Sequence, residues 1–241
     1  QRYQSEMAFC PRHRNTITMI AYSSQFAKYW CFAFITSIAA CSSTPAPKDW
    51  SANTFSGQQS ATKYLLLGES KKAQAAISQL RKDLAATART DLAAKTELAL
   101  CAIEQASLKM PPCEAFEKLK IDALPAELAY AQFLSGQWVG LQVALLPEQY
   151  QAMVQHSQPE SQLIAIKSPI SRLIAGSVLL QKNQLSAKSL ELMVDTASQE
   201  GWRKPVLAWL NIQFNIFEKN NATEQAQQIK RRIQMLEQTL Y

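Results

Sequence analysis

Apolar residues recur along the last part of the sequence at alternate steps of four and three. This spacing places them on one face of a surface α-helix, and they are Ala222, Ala226, Ile229, Ile233, Leu236 and Leu240. Asn221 followed by Glu224 matches a capping box. The pattern therefore predicts an amphipathic helix that begins next to Asn221.

The preceding segment, about 205–219, is apolar on nearly every helical face. Its apolar residues are Val206, Leu207, Trp209, Leu210, Ile212, Phe214, Ile216 and Phe217. Such a helix packs between neighbours, whereas a surface helix keeps one polar face. Because Asn220 and Asn221 are a tight connection to the last helix, the two segments predict a helical hairpin.

Helical periods also run through the sequence from residue 58 onward, and no stretch alternates at period two for long enough to demand a strand. The predicted helices lie at about 58–67, 71–87, 91–109, 114–119, 126–135, 147–156, 159–167, 170–182 and 187–199. Gly68 separates the first two. Thr90 and Ser186 are expected N-caps, and Leu185 and Leu190 are placed for a hydrophobic staple. The sequence predicts an all-α fold of antiparallel helical hairpins.

Two of these hairpins resemble tetratricopeptide repeats, in which an aromatic residue, a Leu-Gly turn and a small residue let two helices cross closely. The first match consists of the segment 64–68, Ala73, Ile77 and Leu80. The second, one residue out of phase, consists of Trp209, Ile212, Ile216, Ala226 and Ile233. Gln213 stands where the second match requires a small residue, and 190–202 is a fainter third. The resemblance implies a tetratricopeptide-like α-solenoid; the alternative is an irregular helical array.

The first forty residues are predicted to form a leader that is removed. An apolar run, 29–40, follows Lys28, and its twelve residues reach about 18 Å as a helix, less than the about 30 Å hydrocarbon core of a bilayer. A transmembrane span is therefore the weaker interpretation. A basic segment, a short apolar run and small residues are typical of a secretory signal. Met7 and Met19 are both plausible starts.

The residues at the end of this run, Ile38-Ala39-Ala40-Cys41, resemble the lipobox of bacterial lipoproteins. The resemblance implies cleavage before Cys41 and acylation of that residue, and Ser42 after it implies an outer-membrane destination. The alternatives are an ordinary cleavage site or a buried small-residue turn. Residues 41–55 then form a polar, proline-rich tether, and 56–241 a helical-repeat domain.

Composition and charge narrow the range of functions. Hydrophobic residues make up 47% and charged residues 18% of the chain, which excludes a disordered chain and a polytopic membrane protein. Half of the formal net charge of +6 belongs to residues 1–40. The remaining excess is spread over 41–241 and makes no large positive field, so a nucleic-acid partner is disfavoured.

Two of the five cysteines remain once the leader and Cys41 are set aside, and these are Cys101 and Cys113. An even pair at short separation in an oxidising compartment indicates a disulfide. Pro111 and Pro112 break the chain just before Cys113, which allows a returning segment to meet the helix that carries Cys101. The alternative for Cys101 is a small buried apolar residue.

Catalytic and cofactor motifs are absent from the sequence. His156 is the one histidine after residue 41, and we expect it to cap a helix end. No metal site, cofactor or catalytic residue is predicted, since neither a G-x-S-x-G elbow nor a phosphate-binding glycine motif occurs. The enzyme alternative, a cell-wall glycosidase, would use paired carboxylates from Glu104, Glu114 and Glu117. Glu69-Ser70 matches only a dipeptide of such enzymes, and Ser70 is better explained as a helix cap.

Two groups of residues are candidates for partner binding. Trp138, Tyr150 and Trp202 are aromatic anchors of the kind found at interfaces, or else core residues. The run Lys230-Arg231-Arg232 is a basic patch that suits anionic lipid, or else a solvated helix face.

We therefore expect a lipid-anchored, periplasm-facing scaffold or adaptor that binds an envelope protein through a helical-repeat groove. A regulator or catalyst of peptidoglycan turnover is the alternative function.

Overall fold

The computed structural model describes residues 49–238, and the regular structure in this range is helical throughout. Its ten α-helices are α1 (Asp49–Leu67), α2 (Ser70–Ala85), α3 (Thr90–Gln105), α4 (Glu114–Glu117), α5 (Pro125–Leu134), α6 (Glu148–Gln155), α7 (Pro169–Gln181), α8 (Ala187–Gln199), α9 (Arg203–Lys219) and α10 (Thr223–Glu237). Three 3₁₀ helices lie between them, at Lys120–Asp122, Val143–Leu145 and Pro159–Ala165. The predicted all-α fold of helical hairpins is confirmed. The leader, the lipobox with Cys41, and Leu240 lie outside the described residues.

Small residues lie in the first hairpin, which α1 and α2 form, at its turn and between its two helices. Gly68 has a φ of +76°, the left-handed conformation that lets α1 end and α2 begin two residues later. Gly57 lies against Leu80, and Ala61 and Ala73 are buried at the crossing. The helix α1 begins at Asp49, so the last seven residues of the predicted tether 41–55 are helical. Among the helices from 49 to 237, none combines the length and apolar character that a bilayer crossing requires.

The last hairpin forms as predicted, but its turn does not use the predicted capping box. Asn221 adopts a φ of +56° and follows the end of α9. Ala222 is the N-cap of α10 and no side chain caps that helix, because Asn221 is occupied in ending the preceding one. Ile229 and Ile233 are buried, and α10 packs on α9. The helix α9 also contacts α8 and α1, which confirms its placement between neighbours.

Two further helix ends test the local predictions. The Ser186 hydroxyl accepts a hydrogen bond from the Ser189 backbone at 3.2 Å, so this N-cap is confirmed. The Thr90 prediction is wrong: Thr90 is the first helical residue, and the Thr87 hydroxyl accepts from the Arg89 backbone instead. The helix α3 ends four residues earlier than predicted, because Leu108 turns to a φ of +62° where no glycine marked the end.

Contacts between distant helices bring the two ends of the array together. The helix α1 contacts both α3 and α9, and α3 contacts α7. The Trp209 indole donates a hydrogen bond to the Ala106 carbonyl at 3.1 Å, and the Arg203 guanidinium donates one to the Leu67 carbonyl at 3.2 Å. The first and last hairpins therefore share one hydrophobic core.

The close approach of α7 and α8 depends on Gly176, where a Cβ atom would overlap the Met193 sulfur. Both residues are buried. We expect Gly176→Ala to destabilise the protein, because overpacking costs about 1–3 kcal/mol and outweighs the about 1 kcal/mol that alanine gains in a helix. In a Met193→Val background, which removes the sulfur, the same change should become stabilising. Urea denaturation of the four proteins measures this, and an equal loss in both backgrounds would contradict the packing account.

Candidate partner-binding groove

A groove of about 950 Å³ lies between α2, α3 and the segment 109–116. Its apolar lining comes from Leu65, Ile77, Ala85, Leu100, Met110, Pro112, Ala115 and Phe116. Its polar lining comes from Gln74, Ser78, Arg81, Lys82, Glu97, Glu104, Lys109 and Glu114. Leu100 and Phe116 of this lining are buried, whereas Ser78, Lys82 and Glu114 are exposed. An apolar floor with polar groups on its sides is typical of a site that binds a polypeptide segment.

The predicted disulfide holds one side of this groove. Cys101 of α3 and Cys113 are bonded, with their Cα atoms 5.7 Å apart. Both cysteines line the groove, and the bond ties the returning segment 109–116 to α3. The side that this segment forms is therefore held by a covalent link as well as by packing of Phe116, which is 1% exposed.

A charged pair joins the two helices inside the groove. The Arg81 guanidinium donates two hydrogen bonds to the Glu97 carboxylate, at 2.6 and 2.8 Å. The Glu97 side chain is 8% exposed and that of Arg81 53% exposed. The hydrogen bond to Glu97 raises the pKa of Arg81 above its ordinary value. Two parallel bonds of this kind fix the relative position of α2 and α3.

The other charges of the groove are distributed over both of its sides. Lys109 pairs with Glu104 at 2.9 Å. Lys82 is exposed at the end of α2, and Glu114 is exposed at the start of α4. A bound segment would thus meet a cation on one side and a carboxylate on the other.

The three glutamates of the enzyme alternative are only partly brought together. Glu104 and Glu114 both line the groove, but Glu117 does not, and it pairs with Lys120 at 3.1 Å. Glu104 is itself paired with Lys109. No group of three or more His, Cys, Asp or Glu side chains is placed to hold a metal ion within residues 49–238.

The aromatic residues predicted as partner anchors do not line the groove. Tyr150 is 1% exposed, and its ring stacks on Phe133 with a centroid distance of 4.7 Å, so the prediction of Tyr150 as a binding residue is wrong. Burial raises the pKa of its hydroxyl. Trp138 and Trp202 are half-buried and pack against the core. The Trp138 ring stacks on the Phe133 ring with a centroid distance of 6.0 Å, and the Lys182 ammonium lies 4.5 Å from the centroid of the Trp138 ring.

The basic patch lies away from the groove. Lys230 and Arg231 are exposed on α10, and Arg232 is half-buried. The neighbouring Ile229 and Ile233 are the buried positions of that helix, so the cations occupy its polar side as the periodicity predicted.

Two smaller predictions concern helix ends. His156 is the C-cap of α6, at a helix end as predicted, but its Nδ1 accepts a hydrogen bond from the Gln158 backbone at 3.1 Å, so this nitrogen does not cap a carbonyl. Ser70 is the first residue of α2, and its N-cap is Glu69. The Glu69 carboxylate pairs with Lys72 at 2.6 Å and with Arg203 at 3.6 Å, which gives it a structural role at the hairpin turn.

Sequence reasoning missed Arg81 and Glu97. A signal for Glu97 was available, because it is the one acidic residue in the largely apolar stretch 92–103 of α3. A charge in such a stretch is buried with a partner or it disrupts the helix packing. The identity of the partner was not readable, since Arg81 lies sixteen residues earlier on another helix.

Comparison of this chain with protein families, with curated proteins and with solved structures finds no match.

Proposed function

We propose that this protein is a lipid-anchored, periplasm-facing adaptor that binds a segment of an envelope protein in the groove between α2 and α3. The groove carries the proposal: it is large enough for several residues of a bound polypeptide, and both apolar and charged side chains line it. The lipid anchor rests on the lipobox resemblance at Cys41 and on the leader before it. An oxidising compartment on the far side of the inner membrane is compatible with the bonded pair Cys101–Cys113.

Charge and apolar surface together define the partner segment. Lys82 and Glu114 face the groove from α2 and α4, so the segment should carry an acidic residue toward α2 and a basic residue toward α4. Between them it should present apolar side chains to the floor near Leu100 and Ile77. Burial of that apolar surface supplies the affinity, and the charges select the direction of binding.

The test uses position 78, where Ser78 is exposed within the groove. A photo-crosslinking amino acid at Ser78 in growing cells should capture one envelope protein, which mass spectrometry identifies. The matched control places the same amino acid at Gln227, which is exposed on α10 and does not line the groove.

The captured protein is then purified and its affinity measured. We expect Ser78→Trp, which fills the groove, to weaken binding by at least about tenfold, whereas Gln227→Trp leaves it unchanged. Equal capture from both positions, or equal affinity of the two tryptophan variants, would rule out the groove as the binding site.

A role in peptidoglycan turnover is the second candidate, because Glu104 and Glu114 share the groove and two carboxylates in one cleft suit glycoside cleavage. The purified protein is incubated with peptidoglycan sacculi. Released muropeptides that disappear in Glu104→Gln and Glu114→Gln would favour this role over the adaptor. The Glu117→Gln variant is the control, since Glu117 lies outside the groove.

A further inference from the structure

The end of the domain that carries the first turns of α1 is defined by three connections. The helix α1 begins at Asp49, and α2 returns antiparallel to it, as the contact of Gly57 with Leu80 shows. The connection 86–89 between α2 and α3 therefore lies at the same end as the start of α1. We call this the α1-start end.

Phe55 projects from the α1-start end. It is 65% exposed, whereas Leu66, eleven residues later on a similar face of α1, is 2% exposed. Among residues 51–67 of α1, the buried apolar residues are Ala61, Leu65 and Leu66, all in the second half of the helix. A large aromatic side chain left uncovered on a helix is a candidate for contact with another surface.

Charge is absent from the residues around Phe55. Positions 51–60 of α1 carry no charged side chain, and neither do positions 84–88 at the end of α2 and in the following turn. The charged residues of this end flank those two stretches: Asp49 begins α1, and Arg89 of the connection pairs with Asp91. An uncharged stretch that carries one large apolar side chain, with charged residues at its margins, suits the interface of a bilayer, where a phenyl ring is buried favourably and charges stay among the headgroups.

The length of chain between Cys41 and Asp49 limits how far the start of α1 can lie from the bilayer. Eight residues can span at most about 29 Å when fully extended. The lipid-bearing residue of the proposed anchor therefore keeps the start of α1 within that distance of the bilayer. Phe55 follows six residues later on the same helix.

The opposite end of the domain lies about one helix length from the α1-start end. The helix α3 starts at the α1-start end, and its sixteen residues extend for about 24 Å. The Gln105 side chain at its far end donates a hydrogen bond to the Leu134 carbonyl at 2.9 Å. Val139, 97% exposed, follows Leu134 by five residues and therefore belongs to that far end.

We propose that the α1-start end rests on the membrane and that Phe55 inserts into the bilayer interface, leaving the far end with Val139 directed into the periplasm. The inference rests on the lipid anchor proposed at Cys41, and it adds a second, non-covalent contact that orients the domain. Two such signals, one acyl and one from the protein surface, hold a protein at a bilayer in a defined orientation.

The experiment places a fluorescent label at the α1-start end without removing Phe55. Once the leader is removed, Cys41 is acylated and Cys101 is bonded to Cys113, an Asn53→Cys substitution supplies the one free thiol of the processed chain. The full protein is purified from bacterial membranes, labelled, and reconstituted into phosphatidylethanolamine–phosphatidylglycerol vesicles that contain spin-labelled lipid as quencher. Val139→Cys and Met235→Cys give matched control sites, the latter at 65% exposure like Phe55.

We expect quenching of the label at Asn53→Cys to exceed that at either control, and to fall by at least about twofold when Phe55→Ser is added. Equal quenching at all three sites on vesicle-bound protein would overturn the orientation while leaving the anchor intact. Protein that fails to float with vesicles would overturn the anchor itself. Unfolding midpoints of the Asn53→Cys and Phe55→Ser proteins, both changed at exposed sites, verify that the fold is retained.

Discussion

Replacing Trp209 by alanine is expected to lower the free energy of unfolding by about 3–5 kcal/mol, the range for truncating a fully buried tryptophan. Trp209 is 0% exposed, and its indole nitrogen donates to the Ala106 carbonyl, 103 residues away in the sequence. The substitution leaves a cavity where α9 meets α3 and an unpaired carbonyl at the end of α3. Because this contact joins the last hairpin to the first half of the chain, urea denaturation should show the loss in the main unfolding transition.

Two variants separate the packing of Trp209 from its hydrogen bond. Trp209→Phe keeps most of the ring volume but removes the N–H donor, and we expect it to cost about 1–3 kcal/mol. Trp202→Ala is the positional control, since Trp202 is half-buried at the start of the same helix. A loss from Trp202→Ala as large as that from Trp209→Ala would show that the contact with α3 has no special weight.

Removing the disulfide with Cys101→Ala and Cys113→Ala together is expected to cost about 3 kcal/mol, because the bond closes a short loop and restricts the unfolded chain. The cysteines are twelve residues apart in sequence, and the loop between them forms one side of the groove. The variant should therefore also lose most of the crosslinking from position 78, since the segment 109–116 is no longer held to α3.

Chemical reduction provides the control for this variant. A reductant should lower the urea midpoint of the natural protein to that of the double alanine variant, and should leave the variant itself unchanged. A natural protein whose midpoint does not respond to reductant would show that the bond contributes nothing to stability. Retained crosslinking in a destabilised but folded variant would show that the groove does not need the bond.

Several local features of this fold were predicted correctly from a few neighbouring residues. The hydrophobic period of α10, the turn at Gly68 and the cap at Ser186 depend on interactions within about one helical turn. The pairing of Cys101 with Cys113 was also predictable, since it spans a short loop broken by Pro111 and Pro112.

Predictions failed where two local options had similar energies. Asn221 was expected to cap α10, but asparagine also tolerates a positive φ, and here it ends α9. Leu108 adopts a positive φ without being glycine or asparagine, so nothing in its type indicated that α3 stops at Gln105.

The prediction for Tyr150 failed for a tertiary reason. Tyr150 was a plausible surface anchor by residue type, and its burial depends on the rings of Tyr130 and Phe133 from α5.

From residue order one can read which stretches are helical and which faces of them are apolar, because both follow from the geometry of a single helix. Residue order did not reveal that Trp209 would meet Ala106, that Arg81 would pair with Glu97, or that the space between α2 and α3 would remain open. Those features depend on how several apolar faces pack together at once. Many pairings bury similar amounts of apolar surface, and the choice among them comes from the fit of side-chain shapes and hydrogen bonds between residues far apart in the chain.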